Sequence, residues 1–412
     1  MNKIELVVYN LVKNNPVLKQ RIVDFYQTVL SLVPQKPIVC RLPHTVRPGF
    51  FYGFHDKTPF SADGHRLLAH RSLVGDRRLR PGDAAEVGYF DGEDWLRFHS
   101  LGQTTAWNWQ LGSMLQWYGV DKIIFNTLIG GEPRAQVVGL DGVLNDQWPY
   151  PVVHVSADGQ YASSYDFLRV EAMMPGYGAV VETPTLEDDF RNPFRIFRTN
   201  DARVCFELSL KEAAAIQPHP SMDGAFHYFH HALFNPASRR SFFLHRWVDK
   251  SQRRWTRMFS VGVNGDGLYL FPMDEMVSHI TWSDDDHIFA YARLPNEGDG
   301  YFLIEDQTGC HQRYFKSVLN SDGHPTFDFK RRIIITDTYP DRFRNQYLVL
   351  GLPDCERRID LVRTHLPNYF KRELQVDLHP RLHPSRLVAC VDTGHVGARA
   401  LMTVNFESKL KE

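Results

Sequence analysis

Apolar positions fall in short runs along this chain, and a few polar residues separate each run from the next. Seven stretches share one pattern: a large apolar anchor, a polar turn that is often Asp-Gly or Asp-Asp, and then a β-favouring run. The anchors are Phe60, Trp117, Val155, Phe234, Trp282, Phe327 and Leu382. A strand, a tight turn and a second strand fit this pattern, so each stretch predicts a β-hairpin.

The hairpins recur at the spacing of a repeat protein. Successive anchors are 57, 38, 79, 48, 45 and 55 residues apart, which is the size range of a four-stranded propeller blade. In the first six units a second pair of apolar runs follows, as in "EVGYFDGEDWLRFHS", around a turn rich in Asp, Gly or Asn. The pattern predicts an all-β fold, a seven-bladed β-propeller. A large β-sandwich is the alternative, but a sandwich does not need seven similar units.

The seventh unit is one strand short. After its hairpin it has a single further strand, "ARALMTVNF". A closed propeller needs a partner for that edge, because an unpaired strand edge is a liability. The predicted partner is "KPIVCRL", so we expect residues 36–412 to form one propeller closed by strand 36–42.

Residues 1–35 have a different pattern. Apolar residues in "IELVVYNLVKNNPVLKQRIVDFYQTVLSLV" recur at helical spacing, which predicts an N-terminal amphipathic helical segment that Pro16 splits. We expect this segment to pack on the propeller or on a partner. The alternative is a peripheral membrane contact through its lysine and arginine side chains.

Composition narrows the class of partner and the compartment. The 412 residues contain 47 Lys and Arg against 48 Asp and Glu, and this balance argues against a nucleic-acid binder, which usually carries a basic excess. The five cysteines have no CxxC spacing, which argues against a zinc knuckle. The first residues do not have the pattern of a secretory signal, and no run of about 18 apolar residues is present. We therefore expect a cytoplasmic protein.

Histidine recurs at one position of the repeat. Three residues before the anchor, each of the last four units carries a histidine, and the first three units do not. These residues are His231, His279, His324 and His379. The start of each first strand and the end of each second strand reach the same face of a propeller, so these side chains are expected to converge on one rim of the central funnel. Imidazoles on neighbouring blades can bind one metal ion. The alternative is that each histidine braces its own blade through hydrogen bonds.

The same geometry selects further rim residues, before the first strands or near the ends of the second strands. They are His55, Asp56, Arg71, Gln110, Asn126, Tyr165, Arg169, Arg293, Asp337, Tyr339, Asp392 and His395. The lack of the repeated histidine in the first three units favours a one-sided site, because a purely structural brace is expected in every blade.

Four stretches resemble the blades of polysaccharide-lyase β-propellers, those of oligogalacturonate lyases first and those of ulvan lyases more loosely. They are "GHPTF…ITDTYPDR", "DLHPRLHPSRLVACVDTGHVGARALM", "SHITWSDDD" and "GFHDKTPFSADGHRLLAHR". The resemblance covers most of residues 50–406. Oligogalacturonate lyases hold a divalent metal, typically manganese, on histidines of successive late blades. The resemblance therefore implies Mn²⁺, with Zn²⁺ or Ca²⁺ as alternatives, on a set of three histidines. These are His279, His324 and His379.

Two details of the resemblance concern single residues. Oligogalacturonate lyases also use a glutamine ligand shortly before the final histidine. Gln375 is near that position, but Asp377 stands closer in the motif. Ulvan lyases use a histidine and a tyrosine for proton transfer, and the tyrosine that matches in this chain is Tyr165.

Together these features predict a metal-assisted polysaccharide or oligosaccharide lyase that cleaves uronate-containing glycans by β-elimination. The reaction needs a cation at the uronate carboxylate, a base for the C5 proton and an acid for the leaving oxygen. The predicted catalytic residues are His231, Tyr165 and Arg169. The predicted substrate contacts are His55, Arg71, Gln110, Asn126, Arg293, Asp337 and Tyr339.

The alternative function is a glycan-binding or polysaccharide-biosynthesis protein that uses the funnel as a binding platform. Propellers serve as binding platforms as readily as enzymes, so the fold does not decide between the two classes. The expected ligand of the predicted lyase is an anionic oligosaccharide or polysaccharide.

Overall fold

The computed structural model describes residues 33–182, 192–273 and 276–410, together with residues 22, 29 and 30. Within these ranges 29 strands form seven antiparallel sheets. The first strands of successive sheets contact one another from the third sheet to the seventh, so these strands line a common axis. The predicted seven-bladed β-propeller is confirmed.

The blades are numbered along the chain, and the strands of each blade are given from the axis outward. Blade 1 contains Phe50–Phe51, Leu67–Ser72, Ala85–Asp91 and Arg97–Thr104. Blade 2 contains Gln116–Tyr118, Lys122–Ile129, Glu132–Gly139 and Leu144–Gln147. Blade 3 contains His154–Val155, Tyr161–Ser164, Phe194–Arg198 and Val204–Leu208. Blade 4 contains Phe226–Phe234, Arg240–Val248, Arg254–Gly262 and Tyr269–Leu270.

The remaining blades follow the same order. Blade 5 contains Val277–Trp282, His287–Leu294, Gly298–Glu305 and His311–Tyr314. Blade 6 contains Thr326–Asp328, Ile333–Asp337, Asn345–Leu352, Arg357–His365 and a fifth strand, Ile38–Cys40. Blade 7 contains Arg381–Leu382, Val388–Thr393, Ala400–Asn405 and His44–Pro48.

In the described part of the chain from residue 33 onward, two short α-helices lie outside the sheets. Helix α1 is Phe167–Met173, and the Asp166 side chain caps it by accepting the backbone N–H of Leu168 at 2.8 Å. Helix α2 is Leu210–Ala215, which begins with a capping box between Ser209 and Glu212. Short 3₁₀ segments are Glu93–Trp95, Pro220–Met222, Pro353–Cys355, Arg372–Leu374 and Glu407–Leu410.

The predicted N-terminal helical segment, residues 1–35, lies almost wholly outside the described residues. Among the residues that are described, none of the helices has the length and the apolar content that a membrane span requires.

The two tryptophan anchors lie in inner strands, and each bonds to a carbonyl group of another blade. The Trp117 indole N–H donates to the Pro59 carbonyl at 2.9 Å. The Trp282 indole N–H donates to the Leu233 carbonyl at 2.8 Å. Each bond links a blade to the one before it along the chain, so these anchors contribute to the radial packing as well as to their own sheets.

The residues that close the ring differ from the prediction. His44–Pro48 pairs with Ala400–Asn405 and is the missing fourth strand of blade 7. Ile38–Cys40, within the predicted donor 36–42, pairs instead with Arg357–His365 of blade 6. The prediction that strand 36–42 closes the propeller is therefore wrong. Two adjacent β-favouring segments compete for that edge, and which blade each one reaches depends on the path of the chain between them, which local propensity does not encode.

A buried ion pair in blade 7 holds the segment that follows the first strand of blade 1. Arg381 Nη2 lies 3.0 Å from Asp392 Oδ2, and each side chain is 1% exposed. Asp392 accepts the backbone N–H groups of Tyr52 and Gly53, both at 2.9 Å. Arg381 donates to the carbonyl oxygens of Gly53 and Phe54. The pair thus satisfies backbone groups of three consecutive residues that have left the sheet.

Gly53 is required for this path of the chain. Its φ is +119°, and a Cβ atom would lie 2.6 Å from the Leu111 carbonyl carbon and 2.8 Å from the Gly112 nitrogen. Both contacts are with backbone, which cannot move aside as a flexible side chain can. The next side chain, Phe54, is therefore presented to the axis from one fixed backbone position.

Removing the arginine of this pair is predicted to destabilise the protein strongly. Arg381→Met leaves the Asp392 carboxylate buried without its cation, so we expect a loss of about 3–5 kcal/mol in the free energy of unfolding, measured by denaturant titration. The matched control is Arg97→Met, because Arg97 forms an ion pair with Asp91 at the surface. The control is expected to unfold almost as the wild type does. Equal effects in the two variants would contradict this account.

Several of the nineteen histidines are buried structural acceptors. His70 Nε2 accepts the backbone N–H of Ser113 at 3.0 Å, and burial lowers the pKa of His70 to about 3. His383 Nδ1 accepts the N–H groups of Ser385 and Arg386 at 3.1 and 3.0 Å, and burial lowers the pKa of His383 to about 4. A nitrogen that accepts a hydrogen bond carries no proton, so these rings are neutral in the folded protein.

Acid is therefore predicted to destabilise the fold. In the unfolded chain a histidine binds its proton near pH 6.5, whereas His70 and His383 stay neutral when folded until about pH 3 and 4. The unfolded state binds more protons in this window. The stability that the two neutral rings contribute is therefore fully present above pH 6.5, and it falls as the pH decreases, by up to about 1.4 kcal/mol per pH unit for each ring. Melting curves between pH 7.5 and 5 in the presence of a chelator measure the slope. His70→Gln should reduce it, and an unchanged slope in that variant would contradict the assignment.

Candidate functional site

Five histidine rings surround Phe54 at the axis of the propeller. The distances from the Phe54 ring centroid are 4.4 Å to His231, 4.5 Å to His55, 5.0 Å to His379 and 5.9 Å to both His279 and His324. On blades 5, 6 and 7 the rings follow one another, with 4.1 Å between His279 and His324 and 4.3 Å between His324 and His379. We call these five histidines and Phe54 the histidine cluster. The structure brings together all four histidines of the repeated position.

His324 and Asp337 meet in the way that blade geometry predicts. His324 precedes the first strand of blade 6, Asp337 ends the second, and His324 Nδ1 lies 2.8 and 2.9 Å from the two carboxylate oxygens. Gly323 permits this approach, because a Cβ there would overlap the Asp337 carbonyl oxygen. Burial disfavours the charged ring, yet the charge and hydrogen bonds of Asp337 raise the pKa of His324.

Asp337 also connects blade 6 to blade 7. It accepts the backbone N–H of His324 at 2.8 Å and that of His379 at 3.0 Å. His379 has φ +44°, a left-handed conformation that is unfavourable for a residue with a Cβ. Such strain persists only where the surroundings enforce it, and it often occurs at functional sites.

His279 has a carboxylate partner of its own. Its Nδ1 lies 3.0 Å from Asp322 Oδ1, and Asp322 also accepts the Ser278 hydroxyl at 2.7 Å and the Gly323 N–H at 2.9 Å. Burial lowers the pKa of His279 despite the opposing effect of Asp322. The ring is therefore neutral with its proton on Nδ1, and its Nε2 lone pair remains available.

His324, Asp377 and His379 could hold a metal ion. One ligand atom from each lies within 4.8 Å of the other two, and all three residues are buried. Among the described residues, His379 Nε2 has no hydrogen-bond partner although it is buried. Burial raises the pKa of Asp377. An unpartnered imidazole nitrogen and a desolvated carboxylate would both be satisfied by one cation.

The chemistry of these three residues fits a divalent ion. Two imidazole nitrogens and one carboxylate oxygen are common ligands of divalent transition metals. The His324 ring donates its Nδ1–H to Asp337, and a carboxylate in this position commonly orients a metal-binding histidine. Asp322, Asp337 and Asp377 also place three carboxyl groups beside one imidazole of raised pKa, so a divalent ion would balance charge.

A β-bulge in blade 4 places two adjacent histidines together. The strand register shifts between His230 and Ala232, and His231 at the shift has φ +46°. Side chains normally alternate between faces of a strand, but the bulge brings the His230 and His231 rings to 3.8 Å. Burial lowers the pKa of both rings well below the usual range, so both are uncharged.

Two tyrosines and one arginine lie near His230, beside the histidine cluster. The His230 ring lies 5.7 Å from Tyr177 and 6.1 Å from Tyr165. Arg246, near the end of the second strand of blade 4, is 7% exposed, and its charge helps to lower the pKa of His230 after the larger effect of burial. A buried cation therefore lies near the uncharged histidine pair.

Two more predicted residues lie near His324: His55, which is part of the cluster, and Tyr339, which lies beside it. His55 lies 5.5 Å from His324 and 5.9 Å from His279 between ring centroids. Tyr339 lies 5.5 Å from His324, and it is 43% exposed. Tyr339 is therefore a partly exposed aromatic neighbour of a buried imidazole.

Gln110 and Asn126 are bonded to backbone. Gln110 donates to the Gln375 carbonyl at 2.8 Å, which ties blade 2 to the segment before Asp377. The Asn126 amide bonds to both the N–H and the carbonyl of Val152, at 2.7 and 2.8 Å. Both side chains thus hold backbone segments in position. Their direct role in substrate binding stays a prediction.

The structure does not bring the three predicted arginines into the cluster. Arg71 forms an ion pair with Glu86, and Arg293 forms one with Asp299 at 2.7 Å; both partners are on the third strand of the same blade. Arg169, on α1, donates to the His227 carbonyl at 2.6 Å. The prediction that these side chains face the funnel is wrong, because each guanidinium group bonds to a carboxylate or a carbonyl group outside the cluster. The direction of each arginine side chain depends on which face of the strand or helix it occupies, and the sequence alone did not resolve this.

Several residues of the site were missed by sequence reasoning. Arg246 is near the end of the second strand of blade 4, so the rule that selected the other rim residues could have found it. The pairing of His230 with His231 depends on the bulge, for which the sequence has no signal. Phe54 and Asp322 lie in irregular segments beside predicted residues, and only their contacts identify them.

Known structures share this architecture. The structure resembles oligogalacturonate lyase from Vibrio parahaemolyticus with a TM-score of 0.57 and 12% sequence identity, covering 91% of this chain and 100% of the other. It also resembles the β-propeller domain of the trilobed protease from Pyrococcus furiosus, with a TM-score of 0.50 and 9% identity over 87% and 96% of the two chains. No protein-family model and no curated protein matches the sequence. The likeness to an oligogalacturonate lyase propeller is confirmed for the fold, and at these identities it extends no further.

Loss of one imidazole ligand is predicted to release bound metal. His324→Ala should lower the affinity for a divalent ion by more than about tenfold. Because the change also leaves the buried Asp337 carboxylate without its imidazole partner, a melting curve checks that the variant remains folded. Elemental analysis and competition with a metal indicator measure the effect.

The matched control is His287→Ala. His287 Nδ1 also lies 2.9 Å from a carboxylate, that of Asp284, but at the half-buried start of the second strand of blade 5. This variant should retain the metal. A wild type without metal, combined with a sharp fall in melting temperature for His324→Ala alone, would instead support the bracing role.

Proposed function

We propose that the protein is a metal-assisted lyase that cleaves uronate-containing oligosaccharides or polysaccharides by β-elimination. The supporting observation is that a candidate divalent site, His324, Asp377 and His379, lies in one cluster with the uncharged imidazole of His231. The reaction requires this combination of a cation and a neutral base. The fold likeness adds support as analogy alone.

The uronate carboxylate must be neutralised before the C5 proton becomes acidic. A divalent ion bound by His324, Asp377 and His379 would supply that positive charge. Arg246 is the protein's own cation for the same carboxylate, and it takes the role that sequence reasoning gave to Arg71, Arg169 and Arg293. Tyr339, which is partly exposed and 5.5 Å from His324, would contact the sugar ring as it enters.

His231 and Tyr165 are the proposed proton-transfer pair. Burial and the neighbouring His230 lower the pKa of His231 well below its usual range, so its ring is unprotonated and can accept the C5 proton. Burial raises the pKa of Tyr165 above its usual value, so the phenol keeps its proton until the leaving oxygen accepts it. Such opposed environments are a common basis for acid and base roles.

The alternative is a protein that binds or helps to assemble glycans without elimination. It rests on the fold, because propellers with other functions share this architecture. It predicts glycan binding without a new double bond.

Activity on uronate oligosaccharides tests the proposal. The protein is incubated with a panel of galacturonate, glucuronate and mixed uronate oligosaccharides, with Mn²⁺ and with a chelator, and the absorbance of the unsaturated uronate product is followed. Wild type should form product in a metal-dependent way. Both His231→Ala and Tyr165→Phe should lower kcat by about 10²-fold or more.

Two controls make the result specific. His287→Ala should keep full activity, and the two catalytic variants should keep their bound metal. Binding of uronate oligosaccharides without any absorbance change across the panel would contradict the lyase and support the alternative.

A further inference from the structure

A cavity opens at the face of the propeller where the inner strands end. Its volume is about 650 Å³, and it is lined by the ends of inner strands and by the turns that follow them in blades 1 to 4, with Trp282 and Pro384. The four histidines of the repeated position lie three residues before their anchors, whereas five of the seven anchors line this cavity, so the two regions are at different levels along the channel. We call this space the distal cavity. Its size is typical of small-ligand sites.

A buried ion pair lies in the wall of the distal cavity. Lys57 Nζ is 2.7 Å from Asp56 Oδ2, and the two side chains are 5% and 6% exposed. Among the described residues Asp56 is the hydrogen-bond partner of this ammonium, so two of its three donors remain for a ligand. Burying both charges carries a desolvation penalty that a single contact seldom offsets.

The same wall provides a third donor and apolar ring surface. His154 Nδ1 accepts the backbone N–H of Phe234 at 3.2 Å, so the neutral ring carries its proton on Nε2. Trp117 and Trp282 also line the cavity, and both indole N–H groups are already donated to carbonyl oxygens. The two indoles therefore present carbon surface.

Phe54 lies between the distal cavity and the histidine rings of the cluster. The void beside Phe54, lined also by Asp56 and His231, has a volume of about 10 Å³. That is about the space of one water molecule. A ligand in the distal cavity therefore cannot reach the histidine rings.

We infer that the distal cavity is a saccharide-binding site for an uncharged pyranose unit. One sugar hydroxyl accepts from Lys57 and the adjacent hydroxyl donates to Asp56, while a C–H face of the ring packs on Trp117 or Trp282. The Lys57–Asp56 pair has no net charge. A charged ligand would bring its own desolvation penalty and would compete with one member of the pair for the other. Because this site is separate from the proposed lyase site, it would hold a glycan at the far face without cleaving it.

Binding of methyl pyranosides to the full-length protein tests this inference. The probes are the methyl glycosides of glucose, galactose, mannose, xylose and N-acetylglucosamine, with methyl glucuronide and methyl galacturonide as charged comparators. Saturation-transfer NMR and tryptophan fluorescence measure binding at concentrations up to about 50 mM, since single-sugar sites often have millimolar Kd values. At least one neutral glycoside should bind, and the charged comparators should bind at least about tenfold more weakly.

Variants locate the site. The double variant Asp56→Asn with Lys57→Met removes both charges at nearly constant volume and should weaken binding at least about tenfold. Ala157→Tyr, at an exposed residue of the cavity wall, should block the cavity without removing a buried contact, so it serves if the double variant does not fold. His324→Ala should bind as the wild type does.

Three results would overturn the inference. The first is the absence of binding by any neutral glycoside. The second is binding that survives Ala157→Tyr but is lost in His324→Ala, which would place the sugar at the histidine cluster. The third is preferential binding of the charged comparators. None of these results depends on lyase activity, so failure of the distal site and failure of the proposed function remain distinguishable.

Discussion

The buried ion pair of Arg381 and Asp392 fixes the backbone of residues 52–54, and this segment places Phe54 among the histidine rings. Residues 52–54 have left the sheet of blade 1, and their N–H and carbonyl groups need partners away from water. Blade 7 provides those partners through two side chains that are each 1% exposed. Phe54 is thereby fixed among the histidines, and the first and last blades of the ring are joined at the axis. The same contact closes the fold and builds the candidate site.

Charge balance is the second constraint on the axis. Asp322, Asp337 and Asp377 are in or beside a cluster whose imidazoles are mostly uncharged, because burial lowers the pKa of every histidine in it except His324. Buried carboxylates without cations are unfavourable. Hydrogen bonds satisfy Asp322 and Asp337. Burial raises the pKa of Asp377, so this carboxyl group gains most from a bound cation.

Phe54 divides the channel into two chemically different ends. One end holds imidazoles and carboxylates in direct contact, which suits the binding of a cation and the transfer of a proton. The other end holds a compensated ion pair beside two indole rings, which suits an uncharged polar ligand. A propeller can keep two such environments on one axis because each inner strand starts at one face and ends at the other.

Repeat spacing was enough to predict the seven blades, since strand and turn signals are local and recur seven times. The repeated histidine was enough to predict convergence, because equivalent positions of a closed ring must face one another. Sequence did not identify the closing strand: Ile38–Cys40 and His44–Pro48 have similar β propensity, and only the chain path sends the first to blade 6 and the second to blade 7. It also assigned Arg71, Arg169 and Arg293 to the funnel and omitted Arg246. Tertiary structure decided these points, because a side chain's direction depends on strand phase, bulges and the partner that captures its charge, and none of these is encoded by residue type at one position.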